Sequence, residues 1–206
     1  RYRNQGIMSY MLRQAIDKMK EDGYDISWLA GDRLRYRNYG WDFAGRQYKY
    51  VIRLKDIKRY YPQDLNVRTA KPSEHDLHII ENLYSRFKSK VIRNTSVWKE
   101  HLKRENLSWV LGETDGQYAY MAYFKGKPGL VHEIQGDTTA VVSLMERHMK
   151  DNNITSMEVL CPCEESKLVD LFNNISFNYS IIHNYQIRII NEENLWNKLL
   201  PVITSK

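Results

Sequence analysis

The sequence predicts an α/β (α+β) protein built from two units. Three observations support this class: apolar residues at helical spacing, alternating apolar and polar residues at strand spacing, and an order of elements that recurs along the chain. The 206 residues are 42% hydrophobic and 27% charged, which is ordinary for a globular protein that buries a sizeable core.

The first unit begins with an amphipathic helix that ends near Gly23. One face of this helix carries apolar residues at helical spacing: Ile7, Met8, Met11, Leu12, Ala15, Ile16 and Met19. Alternating residues then predict a strand over 24–30 and another over 47–54. The Arg-rich segment 31–39 between them is expected to be a short helix.

The second unit follows a charged stretch, residues 55–64, which we interpret as a linker. Residues 65–70 read as a strand, and Ser73 and Asp76 have the spacing of a capping box at the start of a helix. The remaining predicted elements are strands over 108–113, 118–124 and 130–134, a helix over 138–150, a strand over 157–161, a helix over 165–174, an extended stretch over 178–190 and a helix over 192–200. The last half of this order resembles the order in the first unit.

Charge and composition restrict the function without selecting it. The net charge of +6 suits an anionic partner, meaning nucleic acid, a membrane surface or a phosphorylated cofactor. No apolar run reaches the about 20 residues that a membrane-spanning helix needs, and no aromatic and basic motif of an RNA-binding module is present. We therefore expect neither a nucleic-acid partner nor a membrane.

The cysteines, histidines and N-terminal residues indicate the compartment. Cys161 and Cys163 are separated by one residue, a spacing that suits two free thiols of a cytoplasmic protein. The six histidines show no ligand spacing, so we expect no metal. Residues 1–15 do not have the pattern of a signal peptide, and because helical sequence begins almost at Arg1, we expect further sequence upstream.

A glycine directly precedes the first helix, in the run Arg3-Asn4-Gln5-Gly6-Ile7-Met8. The first backbone N–H groups of a helix lack internal partners and carry partial positive charge. A glycine lets a phosphate approach these groups closely. The run therefore favours a pyrophosphate cradle, with a plain helix-initiating turn as the alternative.

A second motif follows the next predicted strand, in the run Tyr36-Arg37-Asn38-Tyr39-Gly40-Trp41. Together the two motifs resemble the GNAT superfamily of N-acetyltransferases, and in particular the bacterial tandem-GNAT proteins related to the Eis acetyltransferases. That superfamily places [RQ]-x-x-G-x-[GA] at the start of its central helix and Y-x-x-x-G-[FWY] after the following strand. Met8 departs from the small residue of the first motif, and a bulky apolar residue is acceptable there in the Eis-related proteins.

The resemblance implies tandem GNAT-like units with mixed, mostly antiparallel sheets flanked by helices, the first unit being incomplete. Residues 1–54 would be the C-terminal half of an acetyl-CoA-binding GNAT domain, 55–64 a linker, and 65–206 a second GNAT-like domain without an acetyl-CoA motif. At the corresponding junction of the second unit, Gly136 is followed by Asp137, whose charge would repel a phosphate.

The resemblance also implies a function. The chain would belong to an acetyl-CoA-dependent N-acetyltransferase that transfers an acetyl group to an amine by direct attack in a ternary complex. The acceptor would be a small-molecule or peptide amine. A non-catalytic GNAT-like binding or scaffold module is the alternative, and a homo-oligomer stays open.

Site residues follow from the two motifs. Tyr36 would protonate the departing thiolate, since a phenol of pKa about 10 can donate to a thiolate whose thiol has a pKa of about 8.5. Tyr39 has no proton-transfer role in the motif. The expected cofactor-binding residues are Arg3, Asn4, Gln5, Gly6, Ile7, Met8 and Ser9. Five arginines could meet phosphates, with Arg3 the best candidate: Arg1, Arg3, Arg33, Arg35 and Arg37.

Overall fold

The computed structural model describes residues 5–164, 166–183 and 185–205. The helices are α1 (Ile7–Glu21), α2 (Arg33–Arg37), α3 (Leu54–Ile57), α4 (Glu74–Ser85), α5 (Thr95–Leu102), α6 (Thr138–Asp151), α7 (Ser166–Ile175) and α8 (Glu192–Thr204). The strands are β1 (Ile26–Leu29), β2 (Asp42–Ala44), β3 (Gln47–Arg53), β4 (Asn66–Thr69), β5 (Leu107–Thr114), β6 (Gln117–Phe124), β7 (Lys127–Gly136), β8 (Ser156–Pro162), β9 (Ser176–Ile182) and β10 (Tyr185–Ile189).

The chain folds into two compact units. Unit 1 takes Arg1–Arg46 together with His183–Lys206, and unit 2 takes Gln47–Ile182. Each unit has its own sheet, and both sheets are mostly antiparallel. The predicted α/β class, with a mixed sheet flanked by helices, is confirmed.

Unit 1 contains a three-stranded antiparallel sheet in the order β1-β10-β2. Its central strand, β10, therefore comes from the far end of the sequence. The main-chain oxygen of Asp25 accepts a hydrogen bond from Ile190 N at 2.8 Å, and its carboxylate pairs with Lys198 on α8 at 2.5 Å. These contacts fasten the C-terminal segment to the start of β1.

Unit 2 contains a seven-stranded sheet in the order β4-β5-β6-β7-β8-β3-β9. Every neighbouring pair in this sheet is antiparallel except β7 and β8, which are parallel. Helices α4 and α6 pack against the sheet, and α6 supplies Leu144, Met145 and Met149, which are fully buried in the core.

The sequence of unit 2 interrupts that of unit 1. Only Gly45 and Arg46 separate β2 from β3, yet β2 lies in the sheet of unit 1 and β3 lies between β8 and β9 in unit 2. The chain returns at residues 182–183, so that β10 enters the sheet of unit 1. Unit 2 is thus one continuous segment inserted between β2 and β10 of unit 1.

The boundaries between the compact units lie at residues 46–47 and 182–183, outside the expected linker, residues 55–64. Tyr50 and Ile52 of β3 are fully buried in the core of unit 2, and so is Ile57, which lies inside the expected linker. Instead of a linker, α3 and a 3-10 helix (Lys58–Tyr60) occupy this stretch. Three of the charged residues that suggested a linker, Lys55, Lys58 and Arg59, are exposed on these short helices, whereas Asp56 is half-buried and pairs with Arg53.

Three local expectations need correction. The short strand β2 was not expected, and the extended stretch over 178–190 is two strands, β9 and β10, in different sheets. The Ser73 hydroxyl accepts a hydrogen bond from Asp76 N at 3.3 Å, as a cap should. The Asp76 carboxylate, however, accepts from Lys71 N and pairs with Arg68, so it does not complete the box.

Candidate functional site

The N-terminus of α1 is open. Gly6 precedes the helix in the left-handed conformation, with φ 73° and ψ 2°, and its carbonyl accepts the first helical hydrogen bond from Tyr10 N at 2.9 Å. Among the described residues, no side chain caps this end, the first turn carries no acidic residue, and no atom lies within 4 Å of the place where a Cβ on Gly6 would sit. The free N–H groups and the positive end of the helix dipole are therefore accessible to an anion.

The residues expected to bind a cofactor differ in their environments. Arg3 and Asn4 lie outside the described residues. The other residues of the run are exposed except for the half-buried Ser9: Gln5, Gly6, Ile7 and Met8. The Ser9 hydroxyl lies 2.5 Å from the hydroxyl of Tyr39, so the segment around α2 contacts the first turn of α1.

Helix α2 has a defined start. Asp32 precedes it in an extended conformation, and its carboxylate accepts hydrogen bonds from Leu34 N at 3.0 Å and Arg35 N at 3.4 Å. An Asp at this position satisfies N–H groups that would otherwise lack partners. The cap fixes the helix that carries Tyr36.

The ring of Tyr36 is half-buried between two residues of unit 1. A Cβ on Gly31 would lie 2.7 Å from Cε2 of Tyr36, so the absence of a side chain at Gly31 is what admits the ring. Trp41 packs edge-on against the other part of the ring, with 6.4 Å between centroids. No described residue forms a hydrogen bond with the Tyr36 hydroxyl. The ring is held in place while its hydroxyl is available to another group.

Arg188 of β10 holds the segment that follows Tyr36. Its Nη1 donates a hydrogen bond to the carbonyl of Tyr39, and its guanidinium lies 5.5 Å from the ring centroid of Trp41. Gly40 has φ 87°, and a Cβ there would lie 3.2 Å from Nη1 of Arg188. The glycine of the motif is therefore required both by its backbone conformation and by Arg188.

Gln186, also on β10, supports Gly31. Its side-chain Nε2 donates to the Gly31 carbonyl at 2.8 Å, and the residue is almost completely buried. Sequence reasoning missed both Gln186 and Arg188, because they lie about 150 positions from the residues they contact and neither belongs to a motif. The alternation of β10 was the only signal, and it indicates a strand but not its partners.

Two of the expected phosphate-binding arginines pair with a carboxylate. Arg33 contacts Asp42 through two hydrogen bonds, at 2.7 and 3.2 Å, and Arg37 lies 3.6 Å from the same carboxylate. The hydrogen bond from Arg33 lowers the pKa of Asp42, and the same bond raises the pKa of Arg33. Because all three side chains are partly exposed, this cluster chiefly fixes α2 against β2.

No helix within residues 5–164, 166–183 and 185–205 is long and apolar enough to cross a membrane. No three metal-binding side chains of these residues gather in one place.

Several solved structures have a similar fold. A probable N-acyltransferase from Enterococcus faecalis V583 is similar with a TM-score of 0.67 and 19% identity, over 96% of this chain and 53% of that one. A GCN5-related N-acetyltransferase from Kribbella flavida gives 0.62 and 15%, over 94% and 50%. Eis1 from Mycobacterium abscessus gives 0.53 and 13%, over 91% and 53%. The chain thus spans about half the length of these solved relatives.

A comparison of the sequence with known families matches part of the chain. No curated protein matches the chain. A family model described as Acetyltransferase (GNAT) domain matches residues 1–44, which include Gly6, Tyr36 and Gly40. The resemblance to the GNAT superfamily is thereby confirmed. Residues 1–44 match the GNAT acetyltransferase domain model, and the chain as a whole has a fold similar to that of these solved GNAT proteins.

Proposed function

We propose that this chain takes part in acetyl-CoA-dependent transfer of an acetyl group to an amine. The GNAT fold supports an acyltransferase, and the acetyl donor, the amine acceptor and the roles of individual residues are parts of the proposal. The observation that carries it is the open N-terminus of α1, with the Tyr36–Trp41 segment packed beside it through Ser9 and Tyr39.

The residues present fit the pyrophosphate of acetyl-CoA. In the part of the chain that the structure describes, no side chain caps the N–H groups that follow Gly6, no acidic side chain of the first turn repels an anion, and no atom lies within 4 Å of a Cβ built on Gly6. The proposed binding residues are those of the first motif and turn: Arg3, Asn4, Gln5, Gly6, Ile7, Met8 and Ser9. Acetyl-CoA supplies the activated acetyl thioester.

Tyr36 is the proposed proton donor. When the amine attacks the thioester carbonyl, the carbon–sulfur bond breaks and the sulfur takes a proton. The Tyr36 hydroxyl can provide this proton because no described residue holds it in a hydrogen bond and because Gly31 and Trp41 fix the ring. The tyrosine recovers a proton from the attacking amine or from solvent.

Two substitutions at opposite ends of α1 test cofactor binding. Gly6 and Gly23 have nearly the same φ, 73° and 76°, and neither has an atom within 4 Å of its missing Cβ. Gly6→Asp places a negative charge at the proposed cradle, and we expect the affinity for acetyl-CoA, measured by calorimetry, to fall at least ten-fold, or by about 1.4 kcal/mol. Gly23→Asp introduces the same charge and backbone strain at the other end and should leave the affinity unchanged.

Other outcomes have definite meanings. Equal affinities in Gly6→Asp and the unsubstituted chain would contradict the cradle. Absence of acetyl-CoA binding by the unsubstituted chain would favour the alternative, a non-catalytic GNAT-like binding or scaffold module.

A further inference from the structure

Strand β9 forms an open edge of the sheet of unit 2. It stands at one end of the strand order, and in the part of the chain that the structure describes it pairs with β3 alone. All residues from 177 to 181 are exposed. On a strand that is paired on one side, the N–H and C=O groups directed away from the sheet lack a strand partner. Addition of a further strand would satisfy these groups.

This edge lacks the features that usually prevent strand addition. The seven residues of β9 include no charged residue, no proline and no glycine. At the opposite edge of the sheet, β4 has only four residues, one of which is Arg68, and Pro72 follows it closely. Shortness, charge and proline are what keep an edge strand from pairing with another chain. Strand β9 is therefore available for pairing, whereas β4 is protected.

The side chains of β9 are apolar, and β3 holds them in place. Phe177 and Tyr179 are each 57% exposed, and Ile181 is 52% exposed. Tyr179 lies opposite Tyr50 of β3, and Ile181 lies opposite Tyr48. The ring of Tyr179 packs edge-on against that of Tyr48, with 5.5 Å between centroids. The apolar side chains of the edge are thus fixed on the side of β3 and exposed on the other side.

The sequence of β9 is complementary to itself. Its ladder with β3 is regular over residues 178–182, and Ser180 is the middle residue of this segment. If two copies of β9 pair antiparallel about a two-fold axis at Ser180, Ser180 lies opposite itself and Tyr179 lies opposite Ile181 of the other copy. The axis produces this contact between an aromatic and a β-branched side chain twice, and such cross-strand pairs are favourable.

The charges near the edge permit this approach. Lys49 of β3 lies opposite Ser180, and its ammonium group pairs with Glu158 at 2.9 Å. In the paired arrangement the two copies of β3 would be three strand spacings apart, or about 14 Å. This distance exceeds the screening length of about 8 Å at physiological ionic strength. Two copies that both carry positive net charge can therefore meet at β9 without close repulsion.

The contact area predicts a weak, closed dimer. Covering the exposed parts of Phe177, Tyr179 and Ile181, together with the facing main chain, would bury roughly 400–500 Å² of each copy. The total of about 800–1,000 Å² lies below the standard interface and suits a reversible complex. Because an isologous contact uses β9 of both copies and β4 is protected, the assembly stops at two.

We propose that β9 pairs antiparallel with β9 of a second copy of this chain, so that the sheets of two copies of unit 2 join across a two-fold axis at Ser180. The exposed main chain of the edge, its uncharged sequence and its self-complementary apolar side chains support this pairing. The interface lies in unit 2 and does not rest on the function proposed for unit 1.

Sedimentation velocity of the full chain, over about two orders of magnitude in concentration around the micromolar range, should show a reversible change from monomer to dimer. Ser180→Glu should raise the dissociation constant about five-fold, because two carboxylates would lie opposite each other at the axis. Within one copy the same carboxylate faces Lys49, so the variant should keep its fold. Ile181→Ser removes both apolar pairs and should also weaken the dimer.

The matched control is Thr69→Glu, which adds the same charge at an exposed position of the opposite edge strand, β4. It should leave the dissociation constant unchanged. Amide hydrogen exchange locates the contact: the amides of β9 should gain protection as the concentration rises, whereas those of β4 should not.

Three results would overturn the proposal. A chain that stays monomeric at every concentration would leave the edge to a strand of another protein. Growth beyond the dimer would show unspecific edge association. A dimer that Ser180→Glu and Thr69→Glu weaken equally, or in which β9 gains no protection, would have its interface elsewhere.

Discussion

Tyr36 depends on residues that are distant in sequence. Gln186 holds the carbonyl of Gly31, the missing side chain of Gly31 admits the Tyr36 ring, and Trp41 closes the other side under the guanidinium of Arg188. A motif of six residues is thus kept in place by a strand from the other end of the chain. The position of the phenol is a property of β10 as well as of the motif.

Removal of the Tyr36 hydroxyl should affect turnover more than binding. Proton donation to the departing sulfur matters in the transition state, so Tyr36→Phe should lower the catalytic rate by about 10²–10⁴-fold if that step limits turnover. Affinity for acetyl-CoA should stay nearly constant. Steady-state kinetics with an accepted amine, corrected for hydrolysis, measures the first quantity, and calorimetry measures the second.

The choice of control follows from the structure. The motif gives Tyr39 no role in proton transfer, which would make Tyr39→Phe a suitable control. However, the Tyr39 hydroxyl lies 2.5 Å from the hydroxyl of Ser9 in the proposed cradle, so Tyr39→Phe is not neutral. Tyr24 is exposed at the far end of α1, and Tyr24→Phe is the better control. A Tyr36→Phe protein as active as Tyr24→Phe would remove Tyr36 from the mechanism.

Gly40 should be more sensitive to alanine than another glycine of similar backbone conformation. Gly45 has φ 70° and open space at its missing Cβ, whereas Gly40 has φ 87° and Arg188 at 3.2 Å. Alanine at either position meets the left-handed strain of about 1–2 kcal/mol. Gly40→Ala should cost about 1 kcal/mol more, because Arg188 must shift from the Tyr39 carbonyl.

Amide hydrogen exchange in β1 and β10 measures this difference, since it reports the stability of unit 1 separately. Equal losses of protection in Gly40→Ala and Gly45→Ala would show that the Arg188 side chain moves aside without a measurable loss of stability.

At the scale of elements, the Asp76 carboxylate in the first turn of α4 makes unit 2 sensitive to acid. The Asp76 carboxylate pairs with Arg68 at 2.7 Å and accepts from Lys71 N at 2.7 Å, and the hydrogen bond from Arg68 is the main cause of its lowered pKa. A folded-state pKa below the unfolded value, about 3.9, stabilises the fold above that value. This stabilisation is lost as the pH falls through the folded-state pKa.

Asp76→Asn should therefore reduce the free energy of unfolding at neutral pH. The free energy of unfolding should also fall less steeply in this variant as the pH drops below about 4. Urea unfolding at a series of pH values, followed by exchange in β4 and β5, measures both effects. Asp115→Asn is the control, since Asp115 lies exposed in the turn between β5 and β6. Parallel pH curves for Asp76→Asn and the unsubstituted chain would exclude a role for this carboxylate.

Most elements were predictable because their signals are local. The apolar spacing of α1, the alternation in β5 to β7 and the Ser73 cap are properties of neighbouring residues, and the structure has these elements within a few residues of the expected bounds. Strand β2 escaped prediction because three residues carry too little alternation to be recognised.

The candidate site was predictable only in part, for the same reason. Gly6 and the Tyr36 motif are local sequence patterns that a resemblance can identify. Arg188, Gln186 and the contact of Tyr39 with Ser9 depend on which strands pair, and that information is spread over the whole chain.

At the scale of the whole molecule, unit 1 is built from both ends of the sequence and unit 2 from the segment between them. The sheet of unit 1 has β10 at its centre, so its two outer strands have no pairing with each other. Unit 2 in turn has β3 between β8 and β9, with Tyr50 and Ile52 fully buried. A cut at any single position of the sequence cannot separate the units.

Ile187→Pro tests this division in the full chain. Ile187 pairs with Trp28 of β1 on one side and with Asp42 of β2 on the other, so a proline there removes a donor from a central strand. By analogy with proline in other hydrogen-bonded elements, we expect the substitution to destabilise the sheet of unit 1 by about 3 kcal/mol. This loss of stability corresponds to roughly a hundred-fold faster amide hydrogen exchange. The amides of β1 and β2, far from residue 187 in sequence, should lose protection, whereas those of β5 to β7 should keep it and serve as the internal control. Retained protection in β1 would mean that β10 does not hold the sheet of unit 1 together, and the supporting roles of Gln186 and Arg188 at Tyr36 would then fall with it.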